Sequence, residues 1–97
     1  MESCCLERST KRSDEEKKAL IARINRLTGQ LNGVKKMIED DRYCGDVLVQ
    51  LSAIVQAAKG LAGVVIDAHM RSCVVRDIKN GDLQSVEEIL SLIKRFQ

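Results

Sequence analysis

Residues 44–73 read CGDVLVQLSAIVQAAKGLAGVVIDAHMRSC, a long, proline-free and mostly apolar run. Its period is helical: Val47, Leu48, Leu51, Ile54, Val55, Ala58, Leu61, Ala62, Val65 and Ile66 are each three or four residues from another member of the set. The apolar stripe is wider than a two-stranded seam, so the helix is buried on more than one side. Three metal-competent side chains mark its ends: Cys44 at the start, His69 and Cys73 at the finish. His69 and Cys73 are four apart, which puts them on one helical face. Cys44 lies 25 positions before His69, close to a whole number of turns, so it shares that face. At 1.5 Å per residue a straight helix separates them by roughly 37 Å. One chain cannot close a Cys–His–Cys set along such a helix. Two antiparallel copies can, with Cys44 of one meeting His69 and Cys73 of the other, and a dyad then creates two equal sites. The midpoint falls near Ala57 and Ala58, where small side chains let two backbones approach.

The rest of the chain extends the helical reading. Ser13-Asp14-Glu15-Glu16 is a capping-box pattern. Leu20, Ile24, Leu27, Leu31, Val34 and Ile38 come next at alternating steps of four and three, which predicts a helix over 14–39. Gly29 and Gly33 lie within it, consistent with a close helix crossing. Asp40-Asp41-Arg42 breaks the pattern, and either Asp can cap a second helix over 41–79. Asn80-Gly81-Asp82 ends that helix and starts a third, with Leu83, Val86, Leu90 and Ile93 as its seam to about Arg95. The expected fold is all-α: a three-helix protomer whose two long helices pair in an antiparallel homodimer. Residues 1–12 have no period and read as a mobile tail; residues 13–97 read as one domain.

The chain has 97 residues, 44% hydrophobic and 31% charged, without proline, and its aromatics are Tyr43 and Phe96 alone. Burial must come from aliphatic residues, which suits helix-on-helix packing, and so short a chain often gains core by oligomerising. No uncharged apolar run reaches about 18 residues, so neither a transmembrane helix nor a membrane partner is expected. MESCCLERSTKR lacks the apolar core of a signal peptide, and the expected compartment is the cytoplasm. In that compartment four cysteines read as metal or redox groups before disulfides. Residues 11–36 hold eight Lys and Arg against Asp14, Glu15 and Glu16, so the first helix is the basic element. Its Arg23, Arg26, Lys35 and Lys36 can contact phosphates or form an ordinary solvated face. No nucleophile–base pair, phosphate loop or carboxylate pair indicates an enzyme.

Two thiolates and an imidazole make a soft, three-coordinate set that favours Cu(I) over four-coordinate structural zinc. Residue types leave a second reading open, in which these cysteines are small hydrophobes on a helix face. Cys4 and Cys5 read as incidental exposed thiols, and Tyr43 as a packing residue at the start of the helix.

The sequence resembles the CsoR/RcnR-type bacterial repressors, and within them the copper-sensing CsoR branch. The resemblance spans Asp14 to Phe96. It is carried by Arg23-Ile-Asn-Arg26-Leu-Thr-Gly29-Gln30-Leu-Asn-Gly33, by Asp41-Arg42-Tyr43-Cys44 with Gln50-Leu-Ser-Ala53, and by His69-Met-Arg-Ser-Cys73. It implies a dimer of dimers and a repressor that binds operator DNA without metal and leaves it on binding Cu(I), inducing copper efflux or sequestration genes. It implies Cys44, His69 and Cys73 as ligands. It also implies that Tyr43 and a glutamate of the third helix, Glu88 or its neighbour Glu87, link the metal to DNA release; for Tyr43 this replaces the packing reading. Arg23, Arg26, Lys35, Lys36 and Lys59 match the family's DNA-contacting cations. Nickel and cobalt sensors of the family carry an N-terminal His ligand, and residues 1–13 contain no His. Formaldehyde sensors lack the second Cys and persulfide sensors lack the His. A thiol-based sensor of the same fold, and a copper-buffering protein without a DNA role, are the alternatives.

Overall fold

A computed structural model describes residues 12–97. Helix α1 spans Asp14–Glu39 and α2 spans Cys44–His69. A π-helical turn, Met70–Val74, continues directly into α3, Val75–Lys79. Helix α4 spans Gln84–Ile93 and closes with a 3-10 turn, Lys94–Phe96. Because α2, the π-turn and α3 form one uninterrupted helical run, the described residues make three helical rods and contain no strand. The expected tail over 1–12, with Cys4 and Cys5, lies outside the described residues apart from Arg12.

Each helix begins and ends for a local reason. Ser13 is the N-cap of α1, and its hydroxyl accepts from the Glu16 N–H at 3.1 Å. Asp41 ends α1: its φ is 55°, its N–H donates to the Ile38 carbonyl at 3.1 Å, and the Arg42 N–H donates to Met37 at 2.9 Å. That pair of bonds is a Schellman ending, with Asp in the left-handed position usually taken by glycine. Neither Asp40 nor Asp41 therefore caps α2, as the sequence suggested; both are spent on ending α1. The Tyr43 carbonyl opens α2 instead, accepting from the Asp46 and Val47 N–H groups at 3.0 and 3.2 Å. The second helix thus starts at Cys44 rather than at 41.

The same ending recurs after α3. Gly81 has φ 81°, its N–H donates to Ile78 at 3.0 Å, and the Asp82 N–H donates to Asp77 at 2.8 Å. The Asp82 carboxylate then accepts from the Gln84 N–H at 3.0 Å, tying the turn to the first residue of α4.

The chain divides into two compact units, one of Ser13–Leu61 and one containing Ala62–Gln97. In the second, α4 packs on the π-turn. Val74 is fully buried there, with Ile89, Asp77 and Ser85 also buried. In the first, Val34 is buried, while Ile21, Ile24, Leu31 and Ile38 of α1 and Leu48, Val49, Leu51 and Val55 of α2 are exposed. By length and composition alone, the helical run Cys44–Lys79 is apolar enough to cross a membrane. Lys59 near its centre and the heptad spacing of its apolar face suit a helix that meets another helix. Within one chain a Cβ at Gly29 or Gly33 would meet nothing within 4 Å, so the expected close crossing at these glycines is not made by the chain itself.

Candidate metal centre

The three candidate ligands lie on one helical run, Cys44 at its start and His69 and Cys73 at the junction of α2 with the π-turn. Cys44 is the first residue of α2, and its thiol is free and exposed. His69 is the last residue of α2 and is half-buried. Cys73 belongs to the adjoining π-turn, where i→i+5 bonding replaces the α-helical ladder. The spacing of four between His69 and Cys73 therefore runs along a π-turn rather than along the regular helix that the sequence suggested. Among the described residues of one chain, no three His, Cys, Asp or Glu side chains gather closely enough to hold a metal ion.

Around Cys44 the geometry is specific. Tyr43 is 75% exposed, so it is not a packing residue within the chain. Its ring lies over Gly45: a Cβ at that glycine would fall 3.1 Å from Cδ2 and 3.2 Å from Cζ. Arg42 and Asp46 flank the pair and form an exposed ion pair at 3.9 Å, a contact of little energetic weight. Glu87 and Glu88 are both exposed on α4, in the same compact unit as His69 and Cys73.

The candidate phosphate-contacting cations are all exposed. The Arg23 guanidinium Nη1 lies 3.8 Å from where a Gly60 Cβ would stand, so Arg23 of α1 reaches α2 at the residue that follows Lys59 in sequence. Lys36 joins Arg42, Gln30 and Gln50 around a groove of about 370 Å³ that also includes Gly33, Met37 and Asp40. Arg42 is a cation that sequence reasoning misses; it stands in a turn, outside the basic helix, and only the fold brings it to the groove that Lys36 also lines. Arg26 and Lys35 lie exposed on α1 without joining either group.

An all-helical chain with candidate thiol and imidazole ligands along its second helical run and a basic first helix defines a class, and comparison with known proteins gives the same one. Residues 16–95 match the profile of the metal-sensitive transcriptional repressors, and the chain belongs to this family. Among its relatives, the copper-sensing transcriptional repressor CsoR of Bacillus subtilis is 41% identical over 86 residues, 88% of this chain and 85% of that protein. The copper-sensing transcriptional repressor RicR of Mycobacterium tuberculosis is 39% identical over 67 residues, 69% of this chain and 70% of the relative. The crystal structure of CsoR with Cu(I) from Geobacillus thermodenitrificans superposes with a TM-score of 0.83 at 40% identity, covering 90% of this chain and 92% of the other. The nickel-responsive regulator InrS superposes with a TM-score of 0.70 at 30% identity, covering 91% and 97%.

Proposed function

We propose that this protein is a Cu(I)-responsive transcriptional repressor, which holds operator DNA in its metal-free form and leaves it when Cu(I) binds, derepressing copper efflux or resistance genes. The observation that carries this reading is the donor set Cys44, His69 and Cys73 in a chain whose fold matches a copper-sensing repressor solved with Cu(I). The donors fit that ion: thiolates select soft cations, and imidazole completes a low-coordinate set. The working assembly is an antiparallel homodimer, paired again into a tetramer, in the bacterial cytoplasm. Cys44 of one copy and His69 and Cys73 of a second hold the metal, and residues 13–97 act as one sensing and DNA-binding domain. The apolar face of the helical run Cys44–Lys79 is then covered by protein rather than by lipid.

When bound, Cu(I) supplies a soft cation that ties donors of two chains together. The chain's own residues do the rest. Cys44 opens α2 directly after the turn that holds Tyr43. His69 and Cys73 lie at and just beyond the other end of α2, in the unit that carries Glu87 and Glu88. Joining the two ends fixes how two copies sit against each other. Arg23, Arg26, Lys35, Lys36 and Lys59 supply the phosphate contacts, and occupancy has only to bias the DNA-free arrangement by about 1–3 kcal/mol to act as a switch.

The direct test is operator binding by fluorescence anisotropy, with and without one Cu(I) per protomer under strictly reducing conditions. Release on addition of Cu(I) is expected. Retention of the operator at full occupancy contradicts the reading, and release by polysulfide but not by Cu(I) replaces it with a thiol-based sensor. In the same assay Arg23→Ala is expected to weaken operator binding and to reduce the slope of log affinity against log salt by about one, as one phosphate contact is lost. An unchanged slope removes Arg23 from the interface.

A further inference from the structure

Gly45 is the second residue of α2, and its backbone does not require glycine: among the described residues Gly81 is the glycine with positive φ. At an ordinary helical position Ala is better than Gly by up to about 1 kcal/mol. The space above Gly45 is taken by the Tyr43 ring. A Cβ would overlap the Tyr43 ring at Cε2 and lie 3.1 and 3.2 Å from Cδ2 and Cζ. The backbone under that ring is pinned, because the Tyr43 carbonyl accepts the Asp46 and Val47 N–H groups at 3.0 and 3.2 Å. A side chain at 45 can therefore be admitted only by turning the ring away about its own torsions. The residue bracketed by this ring and this glycine is Cys44, the ligand that begins the helix.

We propose that Gly45 is a positioning residue for copper sensing: its bare backbone seats the Tyr43 ring on the first turn of α2 beside Cys44, and that seat transmits metal occupancy to the DNA-binding surface. The inference rests on the function proposed above and adds a residue to it. Gly45 touches neither metal nor DNA in this role. It acts through Tyr43.

The chain is suited to the test. Tyr43 is its one tyrosine and it has no tryptophan, so tyrosine emission reports this ring alone. In the full-length metal-free protein, Gly45→Ala is expected to change that emission while keeping thermal stability at or above the parent's. Its operator affinity without metal and its Cu(I) affinity are expected to match the parent's. The ratio of operator affinities without and with Cu(I) is expected to fall by about fivefold or more, the low end of an allosteric coupling. In a Tyr43→Ala background, Gly45→Ala is expected to cause no further fall, which separates positioning from general damage to α2. Unchanged emission overturns the seat, and unchanged coupling overturns its role. An equal fall in the Tyr43→Ala background assigns the effect to the helix and not to the ring. A parent protein that fails to release DNA with Cu(I) overturns the proposed function itself, and the emission of Gly45→Ala still decides whether the seat exists.

Discussion

Cys44→Ser is expected to bind operator DNA as the parent does and to lose Cu(I)-driven release. The thiol is free and exposed, so exchanging sulfur for oxygen removes little packing. A serine hydroxyl is nevertheless a poor ligand for a soft monovalent cation. With one of the three proposed donors gone, the His69 and Cys73 that remain would come from a single copy of the proposed dimer, and the metal would no longer bridge two copies. Cys73→Ser is expected to give the same phenotype from the other side. The measurement is an anisotropy titration of an operator duplex with each variant, repeated with Cu(I). A full copper response in either variant removes that cysteine from the ligand set. Loss of DNA binding without metal would instead place the residue in the fold or the DNA interface.

The second large effect concerns assembly. Val55→Glu is expected to turn the proposed dimer into monomers and to abolish Cu(I) binding at the site proposed between its copies. Leu48, Leu51 and Val55 continue from Cys44 at steps of four, three and four, so they share its face. All three are exposed in the single chain, Val55 by 50%. A carboxylate there would be carried into a helix–helix seam by both copies. Burying an unpaired charge costs several kcal/mol, and a two-fold axis doubles the penalty. Sedimentation velocity reads the outcome, and Gln56→Glu, one residue away and off the stripe, serves as the control. A Val55→Glu protein that sediments as the parent does shows that the copies pair through some other face.

Much of this fold is legible in the sequence because helices announce their faces and their ends. The steps of three and four from Leu20 to Ile38 place α1 over about the residues it occupies, and Ser13 and Gly81 mark a start and a stop that the structure repeats. Asp41 misleads because the same residue type serves two opposite purposes. Its short side chain suits an N-cap and also tolerates left-handed backbone, and here the second use wins. The π-turn is not legible, since α3 beyond it runs only from Val75 to Lys79, too short for a shifted apolar period to show, and His69 and Cys73 keep a spacing that reads as α-helical. The seat of Tyr43 on Gly45 is equally hidden, being a contact between side chain and backbone two residues apart. Charge counting identifies the basic helix, yet only the fold sets Arg23 beside Gly60 and brings Lys36 and Arg42 to one groove.

The π-turn has a mechanical meaning that its hydrogen-bond pattern alone does not convey. Each residue of an α-helix advances the chain by about 100° around the axis. Met70–Val74 is wound more loosely than the helix on either side, so it fixes the angular phase of α3 relative to His69. Val74 is fully buried at its end, and α4 packs on the same turn. Straightening the turn into regular α-helix would screw α3, and with it Asp77, around the helix axis by about 100° with little change in length. The change that regular winding would produce at this end of the molecule is thus a rotation.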